Sequence, residues 1–308
     1  MLRKLVQSVL TTTRVHNVIA QSSVGEATAE QFIAGLHVAD AIETVQSLKT
    51  QGLMATVERL VDDPSDEATA RSNTMLYVDT IRAFAGVELT DDLDVTVQLS
   101  ALGLSLAQGE LIATENLSKI CQEANQHNIS ITLAMGAVED VPATLRIVHD
   151  ASQRFNTLGI TLQSSLHRSE QDAAVFAASG ARVRLCKGQF ADDDSVAFTN
   201  KADVDKAFVR ELRTLMNSSA YLMIATHDSR LIQIGQALAL RGGRAKDSFE
   251  FQMYLGVAIN EQERLLGLHH RVRIHVPFGE NWYPVVADRV VKQPSSLVPA
   301  VRALLRRK

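Results

Sequence analysis

The chain has 308 residues, of which 31 are lysine or arginine and 35 are acidic, giving a net charge of −4. This balance, without any basic stripe that carries interleaved aromatics, argues against a nucleic-acid-binding protein and favours a small-molecule partner. Two cysteines are too few for a disulfide framework or a zinc cluster, and no run approaches the ~18 apolar residues needed to cross a bilayer. We therefore expect a cytoplasmic protein with at most peripheral contact with the inner membrane.

The N-terminal segment is basic. Residues 1–20 contain Arg3, Lys4 and Arg14 but no acid, and their apolar residues recur at helical spacing. An ordinary first helix is the favoured interpretation, and a cleavable targeting peptide is the alternative. With no linker in the chain, we predict one domain over 1–308, with accessory helices over 1–50 and a barrel over 51–308.

Eight short apolar or alternating runs have the composition of β-strands. They cover residues 53–57, 95–99, 129–134, 160–163, 183–186, 222–226, 249–253 and 272–276. The segments between them, such as 170–179 and 201–216, show the spacing of amphipathic helices. Eight such units predict an α/β fold, a (β/α)₈ barrel. A doubly wound open sheet is the competitor, but no Gly-x-Gly-x-x-Gly turn follows an early strand.

In a barrel of this kind the chemistry lies where the strands end, at the C-terminal face. The polar or small residues that this rule selects are Gln98, Ala134, Gln163, Arg184, Lys187, His227, Asp228, Gln252 and His275. Their convergence at one face is a prediction that depends on the fold.

The fifth predicted strand carries two arginines on one face. Arg182 and Arg184 alternate with Val183 and Leu185, so the apolar pair faces the helices and the arginines point into the barrel. An interior arginine needs an acceptor, which is either a ligand such as a phosphate, a carboxylate or a flavin ring, or a carboxylate of the barrel itself. Lys187 follows, and a desolvated lysine at a strand end also suits an imine-forming nucleophile.

Three polar residues, Thr226, His227 and Asp228, end the sixth strand. No His-x-His or His-Glu-x-x-His pattern accompanies them, so we interpret them as hydrogen-bonding groups and predict no metal site.

Several segments, in order along the chain, resemble the proline dehydrogenase family. They are residues 99–102 (Leu-Ser-Ala-Leu), 182–188 (Arg-Val-Arg-Leu-Cys-Lys-Gly), 200–210, 225–228 (Ala-Thr-His-Asp), 250–253 (Glu-Phe-Gln-Met) and 282–284 (Trp-Tyr-Pro). The resemblance implies a distorted barrel with a final helix over the active site. It also implies an FAD cofactor that takes a hydride at flavin N5 and passes electrons to a membrane quinone.

The resemblance implies a largely intact cofactor site. Gln163 and Arg184 match positions near the isoalloxazine ring, and Lys187 and Gly188 match the loop on the phosphate side. The other matching positions that line the cofactor are Thr226, His227, Asp228 and Glu250.

The substrate side departs from the family pattern. Gln98 replaces a lysine, Ala134 an aspartate, and His275 and Val285 each replace a tyrosine. Ala-Tyr after the Lys-Gly pair becomes Gln189-Phe190. The Arg-Arg-x-x-Glu motif of the final helix, whose arginines hold the substrate carboxylate, becomes Asp288, Arg289 and Lys292.

These changes predict an enzyme that oxidises a C–N bond of an amine or imino compound other than ordinary proline. The predicted catalytic residues are Arg184, His275, Asp288 and Arg289, with Gln98, Ala134, Gln189, Phe190, Val285 and Lys292 completing the pocket. The alternatives are a flavin-binding homologue without turnover and a cofactor-free barrel lyase that uses Lys187.

Overall fold

The computed structural model describes residues 31–188 and 193–286 of the chain. Eight parallel strands close into one barrel in sequence order, and the last strand pairs with the first. The strands are β1 (Met54–Arg59), β2 (Asp94–Val97), β3 (Ser130–Leu133), β4 (Leu158–Gln163), β5 (Arg182–Cys186), β6 (Tyr221–Ala225), β7 (Phe249–Tyr254) and β8 (Val272–Phe278). The predicted (β/α)₈ fold is confirmed, and every predicted strand is present.

In the described part of the chain, a helix directly precedes β1 and a helix lies between each pair of successive strands. The helices are α1 (Val38–Thr50), α2 (Glu67–Gly86), α3 (Gly109–Gln126), α4 (Val141–Ser152), α5 (Ser169–Ser179), α6 (Lys201–Met216), α7 (Ser229–Arg241) and α8 (Ile259–Gly267). Short 3₁₀ turns at Ser100–Leu102 and Val138–Asp140 follow β2 and β3.

Side-chain caps fix where several helices begin. Asp66 accepts a hydrogen bond from Thr69 N (2.7 Å) at the start of α2, and Asn200 accepts one from Asp203 N (3.0 Å) at the start of α6. Each cap satisfies a backbone donor that has no partner within its helix.

The apolar core lies between the strands and the helices. Alternate strand residues such as Val57, Val95, Ile160 and Leu222 are buried there, and each contributes roughly 1.5–3 kcal/mol through burial. The inside of the barrel is polar instead. Its fully or nearly buried side chains include Thr56, Asp94, Thr96, Thr132, Arg184, Glu250, Gln252 and Arg273.

Some predicted segments lie partly or wholly outside the described residues. Residues 31–50, which include helix α1, are the described part of the predicted accessory segment, and residues 1–30 lie outside. The predicted final helix is described only for its first turn, residues 283–286. Within the described ranges, no helix is long and apolar enough to cross a bilayer.

Candidate active site

Arg184 crosses the interior of the barrel. From β5 its guanidinium donates to Gln252 Oε1 on β7 (2.7 Å) and to Thr96 Oγ1 on β2 (3.1 Å). It also forms an ion pair with Asp94 Oδ2 on β2 (3.2 Å). Because β2 and β7 are not neighbours of β5, these contacts confirm that the arginine points inward. Its anionic partner in the described chain is a carboxylate of the barrel.

Asp94 connects this arginine to two further strands. Its oxygens accept hydrogen bonds from Thr56 Oγ1 on β1 (2.5 Å) and from Thr132 Oγ1 on β3 (2.7 Å). The carboxylate is completely buried, and these three donors offset the cost of removing its charge from water.

A second buried ion pair joins β7 and β8. Glu250 accepts hydrogen bonds from Arg273 Nε (2.6 Å) and from Tyr221 OH on β6 (2.7 Å). Gln252 Nε2 also donates to Glu250 (2.7 Å), so the amide connects this pair to Arg184. Burial alone would raise the pKa of Glu250, but the charge and hydrogen bonds of Arg273 outweigh it and lower the pKa to about 2. Glu250 is 0 % exposed, so its influence on a ligand passes through Gln252 and Arg184.

Gln163 and Gly188 lie against each other at the ends of β4 and β5. A Cβ atom on Gly188 would lie 2.7 Å from Gln163 Cβ and 2.5 Å from Ser165 Oγ, and the glycine has φ +78°. Gln163 Nε2 donates to Met135 O (3.3 Å) in the loop after β3. Only glycine permits both this close approach and this backbone conformation.

Lys187 belongs to a cluster of charged side chains. Its Nζ lies 2.6 Å from Asp205 Oδ1 on α6 and 3.0 Å from Asp228 Oδ2 at the start of α7. Lys201 and Arg230 bind the same two carboxylates. Hydrogen bonds from Arg230 and Lys187 keep the pKa of Asp228 well below its usual value. Three cations therefore share two carboxylates.

The residues that end β6 are hydrogen-bonded, as predicted. Thr226 Oγ1 accepts a bond from Asp228 N (3.2 Å), and His227 Nε2 accepts one from Tyr254 N (2.9 Å). In the part of the chain that the structure describes, no group of three His, Cys, Asp or Glu residues could hold a metal ion.

His275 projects from β8 at the same face of the barrel. Its Nε2 lies 2.7 Å from Glu58 Oε2 on β1, and the other oxygen of Glu58 accepts from Gln98 Nε2 (2.8 Å). The ring of Tyr254 lies edge-on to His275, with 5.6 Å between the centroids. A carboxylate beside an imidazole suits proton transfer.

The remaining pocket residues divide into described and undescribed ones. Ala134 is half-buried beyond the end of β3, and Val285 is half-buried in the last described turn. The residues predicted for the pocket that lie outside the described ranges are Gln189, Phe190, Asp288, Arg289 and Lys292.

The sequence prediction missed several residues of the site and of the barrel interior beneath it. Glu58 and Tyr254 were overlooked because their strands were predicted to end at residues 57 and 253, two residues and one residue too early. Asp94 and Asp205 were also missed. Asp94 directly precedes an apolar run in the sequence. An acidic residue that starts a strand and faces the barrel interior is a candidate partner for the interior arginines, and this signal could have identified Asp94.

Comparisons with known proteins agree with this architecture. The sequence model described as proline dehydrogenase matches residues 41–282. Proline dehydrogenase 2 of Bacillus subtilis (strain 168) is 30% identical over 291 residues, covering 94% of this chain and 95% of the relative. Proline dehydrogenase of Deinococcus radiodurans is 29% identical over 284 residues, covering 90% of each chain.

A solved structure shows the same fold. Proline utilization A (PutA) from Bdellovibrio bacteriovorus, inactivated by N-propargylglycine, superposes with a TM-score of 0.81 at 20% sequence identity. The match covers 92% of this chain but only 34% of that much longer one. From the family match and the extent of the curated relatives, the chain is a member of the proline dehydrogenase family.

Proposed function

We propose that this protein is an FAD-dependent dehydrogenase that oxidises a C–N bond of an amine or imino compound, and that L-proline is a poor substrate. Family membership supports an oxidoreductase that acts on CH–NH donors. Bound FAD would supply the acceptor for a hydride from the substrate carbon, at flavin N5. A quinone or another acceptor would then take the electrons.

Arg184 is the observation that carries the flavin assignment. A guanidinium has five N–H bonds, and three are used by Gln252, Thr96 and Asp94. Two N–H bonds of the guanidinium are left for an acceptor on a ligand. The carbonyl and nitrogen acceptors of a flavin ring suit such a donor.

The phosphate side of the cofactor suits the Lys187 cluster. The three cations and two carboxylates of that cluster sum to one positive charge, which favours an added anion. The backbone of Gly188 can approach a ligand closely because it has no side chain. Gln163 at the end of β4 and Thr226 after β6 lie on either side of β5 and complete the donor set.

The altered substrate pocket supports an amine other than proline. Asp288 stands where the family pattern has one of the two arginines that hold a carboxylate. A like charge at contact distance opposes a carboxylate by a few kcal/mol, roughly a hundredfold in affinity. Asp288 suits a cationic amine, while Arg289 suits an anionic group.

Lys187 gives less support to the lyase alternative. Its ammonium group makes salt bridges with two carboxylates, whereas an imine-forming lysine attacks through its free amine. Borohydride trapping of a carbonyl compound on Lys187 would identify the lyase.

The direct test begins with the visible spectrum of the purified protein. We expect a yellow protein that releases FAD on acid precipitation, identified by its mass. Lys187→Ala should lower the amount of FAD retained, whereas Lys206→Ala, which removes an exposed lysine paired with Asp203, should not. A colourless protein that takes up no added FAD would contradict the proposal.

The second part of the test concerns turnover. A panel of amines and imino acids is mixed with the protein under nitrogen, and bleaching of the flavin is followed. We expect at least one cationic amine to bleach the flavin faster than L-proline does. A flavin that dithionite reduces but no amine reduces would favour the homologue without turnover.

A further inference from the structure

Five strand ends carry side chains that touch one another around one half of the barrel mouth. Gln98, directly after β2, donates to Glu58 of β1, and Glu58 contacts His275 of β8. The ring of His275 lies against Tyr254 of β7, whose own ring lies 5.0 Å from that of His227 beyond β6. We call these five residues the rim arc.

Within the rim arc, the carboxylate of Glu58 is held at both oxygens. Oε1 accepts from the Gln98 amide at 2.8 Å, and Oε2 lies 2.7 Å from His275 Nε2. The side chains of Glu58 and His275 are 11 % and 12 % exposed, so the pair is shielded but keeps some exposed surface. Such shielding strengthens the interaction between a carboxylate and an imidazolium.

Other titratable groups face the pair from the surrounding elements. Among the described residues these include Tyr77 of α2, with Arg59 and Asp63 near it, Tyr254 of β7 and His227 beyond β6. Deeper in the barrel lie the ion pairs Arg273–Glu250 and Arg184–Asp94. Burial, and after it the negative charge of Glu58, raise the pKa of Tyr77 far above its usual value. That phenol stays neutral, and the two deeper ion pairs each sum to zero charge.

We propose that the Glu58–His275 pair accepts the ammonium proton of the amine substrate, with His275 as the base and Glu58 as the residue that positions it. This inference rests on the proposed function. A protonated amine has no lone pair with which to form a C=N bond, so its N–H proton must leave before the carbon is oxidised. The substrate N–H bond breaks, its electron pair stays on the nitrogen, and an N–H bond forms on the imidazole.

The chemistry of the rim arc assigns the base to His275. Histidine is the side chain whose ordinary pKa lies near neutral pH, which suits a proton acceptor. The carboxylate of Glu58 stabilises the imidazolium that forms, and the edge of Tyr254 restricts rotation of the ring. Glu58 thus sets both the orientation of His275 and its affinity for the proton.

The first test uses Glu58→Gln, which keeps the shape of the side chain but removes its charge. In the flavin-loaded protein, the rate of bleaching by pyrrolidine should rise with pH through one ionisation. The substitution should move that ionisation about one pH unit lower and reduce the maximal rate roughly a hundredfold. Glu123→Gln is the matched control, because Glu123 lies 3.5 Å from His127 on the outer helix α3 and should change neither quantity.

A second measurement does not depend on turnover. The ring resonances of His275, assigned by their loss in His275→Gln, are titrated by NMR in the unmodified protein and in Glu58→Gln. We expect the titration midpoint to fall in the variant by a similar amount. A midpoint that does not move would overturn the role of Glu58.

Chemical rescue tests His275 itself and does not require Glu58→Gln to fold. Bleaching by pyrrolidine should be slow in His275→Ala and should recover when free imidazole is added. No recovery would overturn the assignment of the base. If no amine of the panel bleaches the flavin, the proposed oxidation and this inference are both overturned. If amines bleach the flavin but Glu58→Gln leaves the pH dependence of bleaching unchanged, this inference alone is overturned.

Discussion

Arg184 and Asp94 form an ion pair at 3.2 Å inside the barrel, where their side chains are 8 % and 0 % exposed. The pair joins β5 to β2 across the interior, and Thr56, Thr132 and Gln252 extend it to three further strands. The residue that we assign to the flavin is therefore also part of the polar interior of the barrel. The position of its guanidinium depends on the fully buried carboxylate of Asp94.

Removing the charge of Asp94 should destabilise the protein strongly. In Asp94→Asn the buried guanidinium loses its anionic partner, and we expect the free energy of unfolding to fall by about 3–5 kcal/mol. Urea unfolding followed by circular dichroism measures the change. Glu110→Gln, in an exposed pair with Arg146, is the control and should leave the midpoint unchanged. Equal midpoints for the two variants would show that the buried pair contributes no more than a surface one.

A comparison of Gly188→Ala with Gly52→Ala should distinguish the effect of a side chain close to the cofactor site from the effect of backbone strain. Gly188 and Gly52 share φ +78°, but a Cβ atom at Gly188 meets Ser165 and Gln163, whereas one at Gly52 meets nothing within 4 Å. Both variants should lose roughly 1 kcal/mol of stability through the strained backbone. Only Gly188→Ala should also lose bound flavin, measured as the ratio of the visible flavin absorbance to the ultraviolet absorbance of the protein. Equal flavin content in the two variants would contradict the placement of Gly188 beside the cofactor.

The fold could be predicted from the sequence because hydrophobic periodicity reports the environment of each strand. Val183 and Leu185 face the helices, and the alternating Arg182 and Arg184 had to face inward. The same periodicity did not locate the ends of β1 and β7. Glu58 continues β1 although it is charged, because the interior of the barrel is polar and accommodates its side chain. The alternation of apolar and polar residues in the sequence does not show that the interior is polar.

The partners of the site residues could not be predicted, because they come from distant parts of the chain. Lys187 pairs with Asp205 and Asp228, which are 18 and 41 residues further on. Such pairs depend on which strand ends become neighbours when the barrel closes. The sequence alone indicated that His275 could transfer a proton, but its partner Glu58 was identified only from the folded structure.

Glu211 should make stability depend on pH. It is buried on α6, where Ser164 Oγ donates to its Oε2 (2.6 Å), and burial raises its pKa to about 7. Between the unfolded pKa near 4.5 and the folded value, the folded state holds a proton that the unfolded state has lost. Stability should therefore be fully present below pH ~4.5 and fall by up to ~3 kcal/mol as pH rises through about 7.

Glu211→Gln removes this ionisation. Urea midpoints measured from pH 5 to pH 8, a range of about three units, should fall less steeply in the variant than in the unmodified protein. Parallel curves for the two proteins would mean that Glu211 does not change its protonation over this range.

Asp288 should act as a specificity residue. If Asp288 only paired with Lys292 one helical turn away, Asp288→Ala and Lys292→Ala would each change stability by ~0.3–0.5 kcal/mol and leave ligand preference unaltered. If it faces the substrate, Asp288→Ala should weaken binding of a cationic amine and improve that of L-proline, and Asp288→Arg should favour L-proline further. Flavin bleaching under nitrogen and thermal melts of the three variants distinguish these outcomes. Unchanged kinetics with every amine of the panel in both Asp288 variants would place this residue outside the substrate pocket.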